Sequence, residues 1–366
     1  MIKTGSDFSG VGAFDQALKK LGINYETIYA CDWDKYSRQT YIENYGEPKY
    51  FPKDVYEREI PKESLDLYMT SPPCQAFSIA GKRKGEDDER GILFYNSHEF
   101  IEKNNPRYFI FENVRGLLSD ANGLTFKVWL DMLGGKSVNG NPVLFPNENS
   151  TPYHIYWQVL NAKHYGVPQN RERVFIIGIR DDADNTFRFP KTQHLTKKLK
   201  DVLEDNVDDK YFLSETNNKR VNQNYNKHKY TIEKGDFMDS YNQTIHKEVT
   251  PTITTRVSAS NCSHIFEEKV IQLNQSKESG GKQPYQQNRM YDINGINPAL
   301  NAGQSVWGGN IINTKQIRRL TPRECFRLMD FSEDFKWSVS DTQAYKQAGN
   351  SIVVNVLAEI INKLNL

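Results

Sequence analysis

The residue best placed for covalent chemistry is a cysteine that directly follows two prolines. Cys74 lies in the segment TSPPCQAFSIAGKRKG, and Pro73 restricts the backbone immediately before it. An isolated cysteine is more often a small buried hydrophobic residue than a reactive one. Here it follows the apolar run Leu65 to Met69, which predicts a strand, and α/β folds bind ligands at the carboxyl ends of their strands. This position favours a nucleophilic thiol.

Small and basic side chains follow Cys74. They predict a loop suited to phosphate groups, because lysine and arginine are the usual phosphate contacts in nucleic-acid complexes. The side chains concerned are Ser78, Lys82, Arg83 and Lys84.

Two other segments place charged side chains at predicted strand ends. YFIFENVRGL predicts a buried strand that ends in Glu112, whose carboxyl group could do chemistry or could cap the next helix. In QNRER, alternation puts Arg171 and Arg173 on one side of a strand that is about to begin. These arginines could hold an anionic substrate or form ordinary salt bridges.

A glycine turn near the start of the chain predicts a nucleoside-containing cofactor. In DFSGVGAF, Gly10 and Gly12 allow backbone N–H groups to approach a ligand, although such a turn alone can be purely structural. Asp15 stands where the dinucleotide fingerprint has its third glycine, so a nicotinamide oxidoreductase is disfavoured. About twenty residues on, ACDWD supplies Asp32 for ribose hydroxyls and Trp33 for stacking on adenine.

The elements that must position these groups follow an α/β rhythm up to about residue 188. Short apolar runs at 26–30, 65–69, 108–111 and 173–179 alternate with amphipathic stretches, which predicts a parallel sheet covered by helices. Residues 134–152 predict a surface loop between two helices, and 189–340 a separate loop-rich unit. The last stretch places Ile352, Val356, Ile360 and Leu364 on one helical face, with Asn350 or Ser351 as the cap.

Composition restricts the class of protein. The 47 basic and 46 acidic residues give a net charge of +1, so any surface that binds nucleic acid must be local. The four cysteines are widely separated, which argues against a zinc site or a disulfide framework and favours a reducing cytoplasm; no metal is expected. The sequence shows no signal peptide and no apolar run long enough to span a membrane, so a soluble protein is expected.

Seven blocks together resemble the ordered motifs of the C5-cytosine DNA methyltransferases of bacterial restriction-modification systems. The blocks are DFSGVGAF, ACDWD, PPCQAFS, FENV, QNRER, RRLTPRECFRLMDF and QAYKQAGNS. The resemblance runs from Asp7 to about Leu357, apart from 134–152 and much of 189–285. It implies a Rossmann-like S-adenosylmethionine-dependent methyltransferase domain, formed by 1–188 and 341–366. A small, loop-rich target-recognition domain would be inserted at 189–340.

The resemblance also implies roles for single residues. Cys74 would attack carbon 6 of cytosine and Glu112 would bind the ring's N3 and amine, while Arg171 would contact the base or its sugar-phosphate and Arg173 would orient Glu112 or the loop. The base would be flipped out of the duplex. The S-adenosylmethionine pocket would comprise Phe8, Gly10, Gly12, Asp32 at the ribose, Trp33, Asp54 and Val55 at the adenine, Pro73, and Leu93, Asn350 and Ser351 at the methionine end.

The recognition segment departs from the family pattern in one place. Two similar stretches, 249–265 and 296–312, could each supply the phosphate contact: the first has Thr252, whereas the second has Ala299 where the family has threonine. The expected DNA contacts are Gln75, Ser78, Lys82, Arg83, Lys84, Thr252, Gln286 and Arg289. The expected partners are double-stranded DNA with a short specific site and a possible cognate restriction endonuclease. A monomer that acts on the genome in the cytoplasm of a bacterium, or is encoded by a phage, fits best.

Two rival interpretations share the fold. An RNA cytosine-5 methyltransferase is the nearest, but the Cys-Phe-Thr segment of the relatives that act on tRNA is not found in the sequence, and the long recognition segment favours DNA. A catalytically silent DNA-binding relative is the second, and the presence of Cys74, Glu112 and Arg171 counts against it.

Overall fold

The structure is a computed structural model that describes residues 1–73, 92–183, 185–212, 237–239, 244–246, 290–291, 297–298, 310–313 and 316–366. Its helices are α1 (Ala13–Lys20), α2 (Lys35–Tyr45), α3 (Ile92–Asn104), α4 (Leu124–Leu133), α5 (Pro322–Arg327), α6 (Asp341–Asn350) and α7 (Val354–Ile361). Its strands are β1 (Ile2–Asp7), β2 (Tyr25–Cys31), β3 (Leu67–Thr70), β4 (Tyr108–Val114), β5 (Ser137–Val138), β6 (Asn141–Pro142), β7 (Tyr153–Asn161), β8 (Gln169–Asn170), β9 (Glu172–Arg180), β10 (Phe237–Asp239), β11 (Thr244–His246), β12 (Met290–Tyr291), β13 (Asn297–Pro298), β14 (Asn310–Asn313) and β15 (Gln316–Arg319).

The main sheet has eight strands in the order β2-β1-β3-β4-β9-β7-β5-β6. Strands β2, β1, β3 and β4 are parallel, but β9 is antiparallel to both β4 and β7. The α/β class is confirmed, whereas the prediction of a parallel sheet is wrong at β9, which is antiparallel to both of its neighbours. The connection between β7 and β9 is too short for the crossover that parallel neighbours need.

Residues 134–152 follow a helix and precede a strand, instead of joining two helices as predicted. Strands β5 and β6 within this segment form a hairpin at the edge of the main sheet. Its turn is Asn139–Gly140, and both residues have positive φ angles, 49° and 81°. Asn-Gly is the dipeptide that a two-residue hairpin turn of this kind favours.

The C-terminal helix covers the large domain, as the sequence analysis expected. Ile352, Val356, Ile360 and Leu364 are all buried in one apolar cluster with Leu18 of α1. The predicted cap is wrong, because α7 begins after Val353 with no side-chain cap, while Ser351 ends α6. Among the residues that the structure describes, no helix combines the length and apolarity needed to cross a membrane.

Both ends of the predicted inserted unit pack into the core of the large domain. Leu199 and Val202 at its start and Leu320 and Phe326 at its end belong to the same cluster as Phe14 of α1. These apolar side chains on either side of the predicted insertion complete the core beneath α1 and α7.

Glu324 joins the two ends of the predicted insertion at a neck formed by residues 202–204 and 318–327, where it also forms a buried ion pair with Arg318. The Glu324 carboxylate accepts hydrogen bonds from Arg318 Nη1 and Nη2 at 2.8 and 2.6 Å, and from the backbone N–H of Glu204 at 2.8 Å. Both side chains are almost fully buried. Arg327 adds hydrogen bonds to the carbonyl oxygens of Val202 and Leu203.

We expect Glu324→Gln to lower the free energy of unfolding by about 3–5 kcal/mol, because it removes the negative charge of a buried ion pair with Arg318. Urea unfolding measures the change. The matched control is Asp182→Asn, which breaks the Arg180–Asp182 pair on the surface and should cost less than about 1 kcal/mol. Equal effects of the two substitutions would show that the neck is not held by this pair.

Candidate active site and cofactor pocket

A cleft open to solvent, with about 460 Å³ of empty space, lies at the carboxyl end of β1 and β3. Four of the predicted cofactor residues line it: Phe8 and Gly10 from the turn after β1, and Asn350 and Ser351 at the end of α6. Residues 340 positions apart in the chain therefore meet at one site.

The glycine turn is held by the acidic residue after β2. The Asp32 carboxylate accepts the backbone N–H of Gly10 at 2.8 Å with one oxygen and that of Asp34 at 2.9 Å with the other. Burial raises the pKa of Asp32, and the two backbone N–H groups oppose that shift. Asp32 thus shapes the turn, in addition to the ribose contact predicted for it.

The two glycines of the turn differ in what surrounds them. A Cβ at Gly10 would meet no atom within 4 Å, so its approach to the cleft is open. A Cβ at Gly12 would come within 2.2 Å of the Tyr45 ring, and Gly12 is not among the residues that line the cleft. Gly12 therefore serves the packing of α1 against α2, which differs from the predicted cofactor contact.

The remaining cofactor candidates do not line the cleft. Trp33 is 81% exposed. Asp54 is also exposed, and its carboxylate accepts a hydrogen bond from the backbone N–H of Tyr56. Val55 is buried, Leu93 of α3 packs against an apolar cluster, and Pro73 is exposed.

The predicted catalytic carboxyl group lies buried at the end of β4. Arg173 Nε is 3.0 Å from Glu112 Oε1, and both side chains are largely buried. In the antiparallel ladder, Glu112 pairs with Phe175 and Val114 with Arg173, so Arg173 is the diagonal neighbour of Glu112 on the same face. Burial raises the pKa of Glu112, while Arg173 and Arg171 oppose that shift.

Arg171 is buried between this carboxyl group and the cofactor cleft. Its Nη2 donates to the carbonyl oxygens of Gly349 and Ser351 at 3.0 and 2.7 Å, on either side of Asn350. Burial lowers the pKa of Arg171, and the like charge of Arg173 lowers it further. Both arginines line one small cavity next to Ile352. The alternation in QNRER therefore placed them correctly on one side.

The predicted nucleophile and the predicted DNA contacts belong to segments outside the described part of the chain. Cys74, Gln75, Ser78, Lys82, Arg83, Lys84, Thr252, Gln286 and Arg289 lie outside the described residues. The backbone just before Cys74 is described, and Asn113 Nδ2 donates to the carbonyl oxygen of Pro72 at 3.3 Å. The segment that leads to Cys74 is thus tied to the residue next to Glu112.

Sequence reasoning missed several polar residues of the cleft. Ser9, Ser37, Ser71 and Gln347 line it. Gln347 is buried, accepts a hydrogen bond from Thr40 on Oε1, and has no partner for Nε2 among the described residues. One signal was available, because Gln347 lies one helical turn before Asn350 on the same face of α6. In the described part of the chain, no group of three or more possible metal ligands converges.

The glycine turn, the strand-end carboxyl group and the buried arginine pair lie on one α/β sheet, in which β9 is antiparallel to its neighbours. The solved structures agree on the fold. The S. pombe Dnmt2 methyltransferase has a TM-score of 0.61 at 16% identity, covering 99% of this chain and 97% of that one. A putative DNA modification methyltransferase of an E. coli prophage has a TM-score of 0.63 at 20% identity, with full coverage of both.

The sequence comparisons specify the family. The sequence model described as C-5 cytosine-specific DNA methylase matches residues 2–365. The type II methyltransferase M.HhaI of Haemophilus parahaemolyticus is 33% identical over 96% of this chain and 91% of its own. The type II methyltransferase M.Bsp6I of Bacillus sp. strain RFL6 is 32% identical over 100% of this chain and 98% of its own. The orphan methyltransferase M.SPRI of Bacillus phage SPR is 31% identical over 99% of this chain and 97% of its own.

The chain belongs to the C-5 cytosine-specific DNA methylase family and is a DNA (cytosine-5)-methyltransferase. Methyltransferases of this family and fold use S-adenosylmethionine, and the residues around the cleft fit such a group. Gly10 leaves room for its approach, and the buried Gln347 amide offers a hydrogen-bonding group at the cleft wall.

Alanine substitutions of Gly10 and Gly12 should affect ligand binding and stability differently. Alanine at either position should lower the free energy of unfolding by about 1–2 kcal/mol, because both residues have a left-handed backbone conformation. Gly12→Ala adds the overlap with Tyr45, for about 1–3 kcal/mol more. Gly10→Ala instead places a methyl group beside the cleft and should weaken binding of S-adenosylhomocysteine. Urea unfolding and calorimetric titration measure the two effects, and the reverse order would contradict this assignment.

Proposed function

We propose that this enzyme methylates carbon 5 of a cytosine that is flipped out of duplex DNA at a short specific sequence, through a covalent adduct with Cys74. One observation supports this most directly. The buried Glu112 carboxyl group is held by Arg173, and its neighbour Asn113 holds the backbone that leads into Cys74. A base at this point would meet a thiol and an acid together.

Carbon 5 of cytosine is a poor nucleophile, so the ring must first become electron-rich. Attack of the Cys74 thiolate on carbon 6 does this by splitting one difficult step into two easier ones. S-adenosylmethionine supplies the methyl group that carbon 5 takes up. Loss of the carbon 5 proton then expels Cys74 and restores the aromatic ring.

Glu112 stabilises the charge that thiol addition creates in the ring. Burial raises the pKa of Glu112, which favours the protonated carboxyl group that the proposal needs to donate towards the ring's N3. Arg173 fixes the direction of the carboxyl group through the contact at 3.0 Å. These roles make Arg173 a positioning residue for Glu112.

The two cysteines that the structure describes are unsuited to nucleophilic attack. Cys31 and Cys325 are buried, and burial raises the pKa of the Cys31 thiol to about 12 and that of Cys325 above its usual range. Structural buried thiols of this kind are inert. They therefore serve as controls for Cys74.

Arg171 connects the target side to the cofactor side of the site. Its hydrogen bonds to the carbonyl groups of Gly349 and Ser351 fix the segment that would hold the methionine end of the cofactor. Contact of its guanidinium with the target base or sugar-phosphate is part of the proposal. The adenine is proposed to contact Trp33, Asp54 and Val55. The ribose is proposed to contact Asp32.

The inserted unit is proposed to read the DNA sequence, with bounds near 213 and 317 because of the packing at its neck. Strand β13 (Asn297–Pro298), in the second of the two similar stretches, pairs with β8 (Gln169–Asn170), directly before Arg171. This pairing favours the second stretch for contacts near the target. A monomer that works in the cytoplasm, alone or with a cognate restriction endonuclease, completes the proposal.

The test is trapping with a duplex that has 5-fluorocytosine at the target position. Fluorine cannot leave as a proton does, so the wild type should form an adduct that survives denaturation, seen as a shifted band. Cys74→Ala should form none and should lose methyl transfer by at least about a thousandfold, as loss of a covalent nucleophile typically does.

Cys31→Ala and Cys325→Ala are the matched controls and should retain the adduct. The same assay on tRNA separates the RNA interpretation from the DNA one. An adduct formed by Cys74→Ala would refute the nucleophile, and methyl transfer to tRNA in preference to duplex DNA would refute the substrate.

The protonated state of Glu112 predicts a pH effect. Because Arg173 lowers the pKa of Glu112, Arg173→Met raises it, so the alkaline limb of kcat/KM for DNA should move to higher pH. The rate at the optimum should fall by about tenfold or more as orientation is lost. Arg115→Met, which removes an exposed partner of Glu172, should leave the limb in place. A shift to lower pH would contradict a requirement for protonated Glu112.

A further inference from the structure

A second buried ion pair lies at the wall of the cofactor cleft, which Asp7 lines, and the mechanism above does not use it. Asp7 Oδ2 is 3.1 Å from Arg58 Nη1, and the two side chains are 0% and 1% exposed. The hydroxyl groups of Tyr29 and Tyr68 each donate to the Asp7 carboxylate at 2.6 Å. Burial raises the pKa of Asp7, while Arg58 and the two hydroxyl groups oppose the shift.

The pair connects three segments that converge on the proposed site. Asp7 ends β1 and precedes Phe8, whose φ of 55° starts the cofactor turn. Arg58 follows the proposed adenine-side residues Asp54 and Val55. Its Nη2 donates to the carbonyl oxygen of Asn96 at 2.6 Å, in the first half of α3, which follows the segment containing Cys74.

The arrangement is poorly suited to stability alone. Arg58 Nε and Nη1 are buried and form no hydrogen bond among the described residues, although Nη1 lies near Asp7. A buried charge with unsatisfied N–H groups is costly, and apolar side chains of similar volume would often serve stability as well or better. Such an exception is a sign of a functional constraint.

We propose that Asp7 and Arg58 are positioning residues that hold the cofactor turn, the adenine-side segment and the start of α3 in one binding geometry. The inference rests on the proposed function, since it assumes that the cleft takes S-adenosylmethionine. It assigns a role to residues that contact neither the DNA nor the reacting atoms. The tyrosine hydroxyl groups act through Asp7, because each fixes one carboxylate oxygen.

The experiment is calorimetric titration of the full-length protein with S-adenosylhomocysteine, without DNA. Tyr68→Phe and Tyr29→Phe should each weaken binding by about three- to tenfold, the range expected for losing one typical hydrogen bond. Asp7→Asn and Arg58→Met should weaken it by at least about tenfold, and their combination no more than the stronger single change, because both act on one pair.

Tyr153→Phe is the matched control. Tyr153 is equally buried, and its hydroxyl group donates to the carbonyl oxygen of Pro106, away from the cleft. It should lose stability like Tyr68→Phe in urea unfolding yet bind within twofold of the wild type. If Asp7→Asn and Arg58→Met do not fold, the tyrosine variants decide.

Binding by Tyr29→Phe and Tyr68→Phe within twofold of the wild type would overturn the positioning role and leave the cofactor assignment standing. Equal weakening in Tyr153→Phe would overturn it too, because the effect would then follow stability alone. A wild type that does not bind S-adenosylhomocysteine would overturn both the cofactor assignment and this inference.

Discussion

Burial of carboxyl groups at strand ends is the constraint on which this structure depends. Carboxyl groups lie at the ends of the central strands, where they are largely removed from water, so each acid must be held by cations or N–H groups. Asp32 is held by backbone N–H groups of the turn, Glu112 by Arg173, and Asp7 by Arg58. In each case, the partner also fixes a segment of the site. The contacts that compensate the buried acid are therefore the same contacts that shape the pocket.

The motifs predicted that distant parts of the chain meet at one place. Phe8, Gly10, Asn350 and Ser351 line one cleft although they come from opposite ends of the chain, because the motif order identifies a fold in which those ends meet. Gly12 illustrates the limit. A positive φ is all that a glycine signals, and whether the missing Cβ makes room for a ligand or for Tyr45 depends on how α2 packs.

Other features had no local signal at all. Arg58 lies 51 positions from Asp7, and nothing in YEREI distinguishes a buried guanidinium from an exposed one. The ends of the predicted inserted unit were similarly hidden, because composition changes near 189 whereas Tyr211 and, among the described residues after it, Leu320 belong to the core. Composition reports how polar a segment is, but the boundary of a domain is set by which apolar side chains share a core.

The error in the sheet concerns β9, the strand that carries Arg173. An alternating pattern of strands and helices predicts parallel neighbours, but the short connection after β7 returns the chain as the antiparallel strand β9. Running in this direction, β9 begins beside the end of β4. That places Arg173, near its start, diagonally across from Glu112 at the cleft end of the sheet. A parallel β9 would begin at the opposite edge and carry Arg173 away from Glu112, so the antiparallel departure is what brings the acid and its positioning cation together.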